Sequence, residues 1–229
     1  MFKKLLATGA LALFTLTSTV FAAGAADVTP TTNAAAQAIV APTTVSPEEA
    51  ASLQFMREEE KLAHDVYVTL YEAWGLRVFD NISRSEQQHT DAVAYLLDRY
   101  DISDPVTGND LGEFSDAKLQ ALYDQLVAQG SKSMTDALKV GAAIEEIDIL
   151  DLQKRLAGTD NAAIERVYTS LLAGSENHLR AFVGNLKAQA GQTYAPQYLS
   201  QAAYNAIVTA SGSQGGGNGG RGGGRGGRR

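Results

Sequence analysis

The 229-residue chain has no cysteine. That absence excludes disulfides, thiolate metal sites, cysteine nucleophiles and lipid attachment at a leader cysteine. Stability must rest on packing and, at most, on a metal held by other ligands. Period-two alternation of apolar and polar residues is also missing over more than a few residues, which removes the signal for half-buried strands. No apolar run is long and clean enough for a membrane anchor, since Leu5 to Phe21 is short and carries Thr15, Thr17, Ser18 and Thr19. Lys3 and Lys4 before this run and the small Ala22 and Ala23 after it make residues 1–22 a secretory signal peptide, with cleavage expected near Ala22. The mature protein is then expected to be periplasmic or secreted, with no membrane span.

Basic residues are scarce where the chain can fold. The formal charge is −7, from 19 Lys and Arg against 26 Asp and Glu, but Lys3, Lys4, Arg221, Arg225, Arg228 and Arg229 lie in the two ends. The rest of the chain keeps 13 basic residues against 26 acidic ones, a net charge of about −13. An acidic body suits cations and disfavours nucleic acid or an anionic membrane as its partner. Residues 23–45, rich in Ala, Thr, Pro and Val without a period, read as a flexible linker, and residues 212–229, nearly all Gly and Arg, as a disordered tail. Residues 46–211 between them suit one domain.

Within that domain the pattern is helical. Ser46-Pro47-Glu48-Glu49 is a capping box with proline at the first helical position, and the helix it opens runs to Gly75. A second helix is expected from a cap at Asp80 or Asn81 to about Tyr100. A loop follows with Pro105, Gly108 and Gly112, and Ser115 to Gln129 forms a short helix inside a crossover. A third helix spans about Ser133 to Leu156 and a fourth about Asp160 to Ala190. A weaker one, Tyr198 to Val208, packs outside. Short links within each pair and a long connection between the pairs predict an all-α, antiparallel four-helix bundle with one long crossover.

Each long helix interrupts its apolar stripe with a residue that can bind metal. The stripe Leu53, Met56, Ala63, Tyr67, Leu70, Trp74 holds Glu60 in its middle. On the second helix Glu86 and His89 share one turn with Ile82, Val93 and Leu96. The third helix places Glu145, with Asp148 one turn on, among Leu138, Ala142, Ile149 and Leu152; the fourth places His178 among Val167, Leu171 and Phe182. A buried, isolated carboxylate costs several kcal/mol or takes up a proton, so one such group per helix calls for a shared cation. Carboxylate and imidazole without thiolate suit iron, manganese or zinc. The run Glu58-Glu59-Glu60-Lys61 also fits a solvated charged face, and the stripe singles out Glu60 from it. His64, at the stripe edge, is expected at the surface or behind a ligand.

The stretch Glu60-Lys-Leu-Ala63-His-Asp-Val-Tyr67 resembles the first-helix motif of rubrerythrin-type members of the ferritin-like superfamily, and Glu86-Gln-Gln-His89 resembles their second-helix Glu-x-x-His. Within that superfamily the chain most resembles a group of prokaryotic domains of unknown function over roughly residues 46–205. The resemblance implies a ferritin-like fold and a pair of iron ions. It implies that Glu60 and His89 hold the first, Glu145 and His178 the second, and that Glu86 bridges. Tyr67 would stand near the pair as a hydrogen-bond donor. The fourth helix departs from the pattern, with Ser175 where a carboxylate is expected.

Three functions follow. One is a di-iron-type oxidase or peroxidase acting on peroxide or oxygen with an external electron donor. A second is metal binding and buffering without turnover. In the third, the polar residues form a metal-free network and the protein is a structural or surface-interaction module. The Gly/Arg tail, which has no interleaved aromatic residue, is suited at most to polyanion contact.

Overall fold

A computed structural model describes residues 44–210. The expected signal peptide, residues 23–43 of the linker and the Gly/Arg tail lie outside the described residues. The described chain is all-helical, with six helices: α1 Pro47–Trp74, α2 Arg77–Arg99, α3 Ala117–Gly130, α4 Met134–Leu156, α5 Ala162–Ala190 and α6 Gln201–Thr209. None is long and apolar enough to cross a membrane.

The local sequence explains most of the ends. At the start of α1 the Glu49 N–H donates to Ser46 Oγ (3.1 Å) and the Ser46 N–H donates to Glu49 Oε2 (2.8 Å), the reciprocal cap read from the sequence. The helix stops at Gly75, whose φ of 64° is in the left-handed region that glycine enters without strain. The start of α2 differs from expectation. It begins at Arg77, behind an extended Leu76 that offers no side-chain cap, and so before the Asp80 or Asn81 expected to cap it. Burial overrides capping here, because Val78 and Phe79 in the first turn both reach the core, and each such side chain contributes about 1.5–3 kcal/mol. Asp80 instead pairs with Arg84 one turn on, at 2.7 Å.

Two apolar clusters fix how the four long helices run. One gathers Leu53 and Met56 of α1, Val93, Leu96 and Leu97 of α2, Leu152 of α4 and Ile164, Tyr168 and Leu171 of α5. The other gathers Val66, Tyr67 and Leu70 of α1, Phe79 and Ile82 of α2, Leu138 and Ala142 of α4 and Phe182 and Leu186 of α5. Along α1 and α5 the chain passes from the first cluster to the second, and along α2 and α4 from the second to the first. α1 packs on α2 and α4, α5 on α4 and α2, α3 on α1 and α4, and α6 on α5. Between the two clusters each long helix carries its buried polar residues.

The crossover between α2 and α4 is tied to α1 by buried charge. Glu58 accepts the Ser115 and Asp116 N–H groups (2.9 and 3.2 Å), and Asp65 accepts the Gly112 N–H (2.8 Å) and pairs with Lys61. The solvated face that Glu58 and Glu59 suggested is therefore not formed, since both are buried. The backbone donors that Glu58 satisfies come from more than fifty residues away.

Candidate metal centre

Glu60, Glu86, His89, Glu145 and His178 converge at the level between the two apolar clusters. Glu86 is the hub. Its Oε2 lies 2.8 Å from His89 Nδ1 and its Oε1 lies 2.7 Å from His178 Nδ1. His89 Nδ1 also stands 3.2 Å from Glu60 Oε2, and His178 Nδ1 stands 3.6 Å from Glu145 Oε2. The two imidazoles stack with their planes 26° apart and centroids 5.4 Å apart. Glu60, Glu86 and His89 thus form one group whose ligand atoms lie within 4.8 Å of one another, and Glu86, Glu145 and His178 form a second. Both imidazoles face the carboxylates through Nδ1, and Glu86 belongs to both groups.

Two buried carboxylate oxygens in this layer, Glu60 Oε1 and Asp148 Oδ1, make no hydrogen bond within the protein, while Glu86 Oε1 and His178 Nδ1 face each other at 2.7 Å. Native proteins leave few such groups unpaired, and each costs about 1–3 kcal/mol or more. A hard or borderline cation satisfies oxygen and imidazole nitrogen together, so this donor set fits a metal.

Without a cation the layer is balanced by protons. Burial pushes the Glu60 carboxyl up to about 8, with the neighbouring Glu86 adding to the shift. Burial opposes protonation of His89, yet its bonds to Glu60 and Glu86 hold the imidazole up at about 11. Glu86 and Glu145 likewise overcome burial at His178 and raise it to about 10. Burial would raise Glu86 too, but His178 and His89 hold it well below the usual carboxylate range. Glu145 and Asp148 are raised, first by burial and then by neighbouring carboxylates.

The remaining expected residues fall around this centre. Tyr67 donates to Glu145 Oε1 at 2.6 Å while its ring packs on Phe182 and Phe79. Asp148 belongs to neither group. It accepts a hydrogen bond from the Ser175 hydroxyl, which also meets the Leu171 carbonyl (2.9 Å), so the α5 position where a carboxylate was expected holds a hydroxyl paired with Asp148. His64 turns away and meets Asp65 Oδ1 through Nδ1 at 2.8 Å. Sequence reasoning missed two residues outright. Ser85 Oγ lies 2.9 Å from His178 Nε2, with no local signal except its place before Glu86. Glu146, next to Glu145, points the other way and accepts the N–H groups of Gln197, Tyr198 and Leu199.

The protein is thus an all-helical domain with a buried carboxylate–histidine cluster able to hold metal. Residues 49–211 match the family described as "Uncharacterized protein domain (DUF2202)", and the chain belongs to that family. It is 52% identical over 171 residues to the uncharacterized protein MJ0754 of Methanocaldococcus jannaschii, covering 75% of this chain and 92% of the relative. The crystal structure of the hypothetical protein MJ0754 superposes with a TM-score of 0.72 at 51% identity, over 75% of this chain and 97% of the other.

Proposed function

We propose that this chain is an exported ferritin-like protein. In this reading α1, α2, α4 and α5 form an antiparallel four-helix bundle around two metal ions, with iron as the first choice and manganese or zinc as substitutes. The observation that carries it is the sharing of Glu86 between two groups, beside buried Glu60 and Asp148 oxygens that have no partner. Glu60 and His89 would hold one ion, Glu145 and His178 the other, and Glu86 both, while Asp148 stands by as a further carboxylate. Bound iron would supply a redox couple and Lewis acidity in a largely buried site.

The protein's own contribution is to place these ligands and manage their protons. Tyr67 fixes Glu145 through its hydroxyl, and the ring contacts with Phe79 and Phe182 hold that hydroxyl in place. The buried layer stores protons on both imidazoles, which a cation displaces. The activity proposed is reduction of peroxide or oxygen with electrons from a separate donor. Metal buffering without turnover is the second reading, favoured by Ser175 in place of the carboxylate expected on α5. Signal cleavage near Ala22 and polyanion contact through the Gly/Arg tail complete the proposal.

Iron-loaded protein given peroxide and a reductant separates the two readings. Catalytic loss of peroxide over many turnovers supports the redox function, and stoichiometric loss with retained iron supports buffering.

A further inference from the structure

The two imidazoles are supported from behind in different ways. His178 Nε2 meets Ser85 Oγ at 2.9 Å, and Ser85 directly precedes Glu86 on α2. The other terminal ligand of that group, Glu145, is held by Tyr67 at 2.6 Å. The Glu60–His89 group has no counterpart. Among the described residues Glu60 and His89 bond only to each other and to Glu86, nothing meets His89 Nε2, and Glu60 Oε1 has no partner. The back of His89 lies instead against bare backbone, for a Cβ on Gly174 would come within 2.5 Å of its Cε1 and Nε2.

We infer that Ser85 is a positioning residue that makes the two cation positions unequal: the Glu86–Glu145–His178 position is organised in advance, and the Glu60–Glu86–His89 position is not. This rests on the cation-pair reading above. A neutral imidazole that ligates through Nδ1 must carry its proton on Nε2. Ser85 Oγ accepts a hydrogen bond from that N–H, which fixes both the tautomer and the ring plane of His178. His89 has no such partner at Nε2, and that side of its ring sits in the gap that a side chain at position 174 would fill. The organised position loses less freedom on binding and fills first; the second position fills after Glu86 is already committed.

Anaerobic titration of the full-length chain with cobalt(II), followed by visible absorption and by counting bound metal, tests this. Wild type should take up two equivalents in two steps. Ser85→Ala should weaken the tighter step about 10- to 100-fold, the cost typical of losing an outer hydrogen bond to a metal-bound histidine, and leave the weaker step unchanged. Ser85→Thr, which keeps the hydroxyl, should restore the tighter step. Gly174→Ala should weaken the other step and spare the tighter one. Circular dichroism of the cation-free variants serves as the folding control. Two equivalents in wild type with an unchanged Ser85→Ala titration overturns the role of Ser85 alone, as does a Ser85→Thr variant that behaves like Ser85→Ala. A folded wild type that binds no cobalt overturns the cation pair and this inequality with it.

Discussion

Tyr67 and Glu145 meet across the α1–α4 interface, hydroxyl to carboxylate at 2.6 Å, both out of contact with solvent. The tyrosine therefore packs with Phe79 and Phe182 at one end and holds a candidate ligand at the other. Tyr67→Phe keeps the packing and removes the donor, leaving Glu145 with one fewer partner. The expected cost is about 1–3 kcal/mol in the cation-free protein. It should appear in denaturant unfolding, with a smaller loss once metal is bound, because a cation then satisfies the same oxygens.

Glu146 is the opposite case on the same helix. Its carboxylate accepts the Gln197 N–H at 3.0 Å and the Tyr198 and Leu199 N–H groups at 2.7 Å, which pins the segment before α6. Glu146→Gln replaces one acceptor oxygen by a donor that faces N–H groups. Loss of charged hydrogen bonds of this kind costs about 1.5–3 kcal/mol. Hydrogen exchange at residues 197–199 should accelerate, with metal stoichiometry unchanged.

The proton balance predicts how pH acts. His89 and His178 stand at about 11 and 10 in the folded cation-free protein, above the unfolded value of about 6.5. Their contribution to stability is complete below that unfolded value and is lost as pH rises through 10 to 11. Glu60, raised to about 8, works in the same direction, because the folded state holds its proton where the unfolded chain has released it. With a chelator present, the melting temperature should fall as pH rises from about 7 to 10. With metal present the fall should be absent or reversed, and metal uptake should release protons, measured by a pH indicator in weakly buffered solution.

Much of this candidate centre is legible in the sequence because each candidate ligand interrupts a helical stripe, and a carboxylate or imidazole at a core position is conspicuous. Glu60, Glu86, His89, Glu145 and His178 are all found this way, and the four long helices follow from the same periodicity. The buried anchors are not legible. Glu58, Asp65 and Glu146 look like ordinary surface acids, because their partners are backbone N–H groups of Ser115, Gly112 and Leu199, roughly fifty residues distant. The start of α2 is hidden for a related reason, since Asp80 has the chemistry of a cap while Phe79, one residue before it, has the burial of a core position.

The sharing of Glu86 is the central claim, and counting metal tests it most directly. The full-length chain is loaded anaerobically with iron(II), dialysed and analysed by mass spectrometry beside Glu60→Ala and Glu86→Ala. Two ions per wild-type chain, one for Glu60→Ala and none for Glu86→Ala are expected. A folded wild type without bound iron, or a Glu86→Ala variant that keeps both ions, contradicts the account.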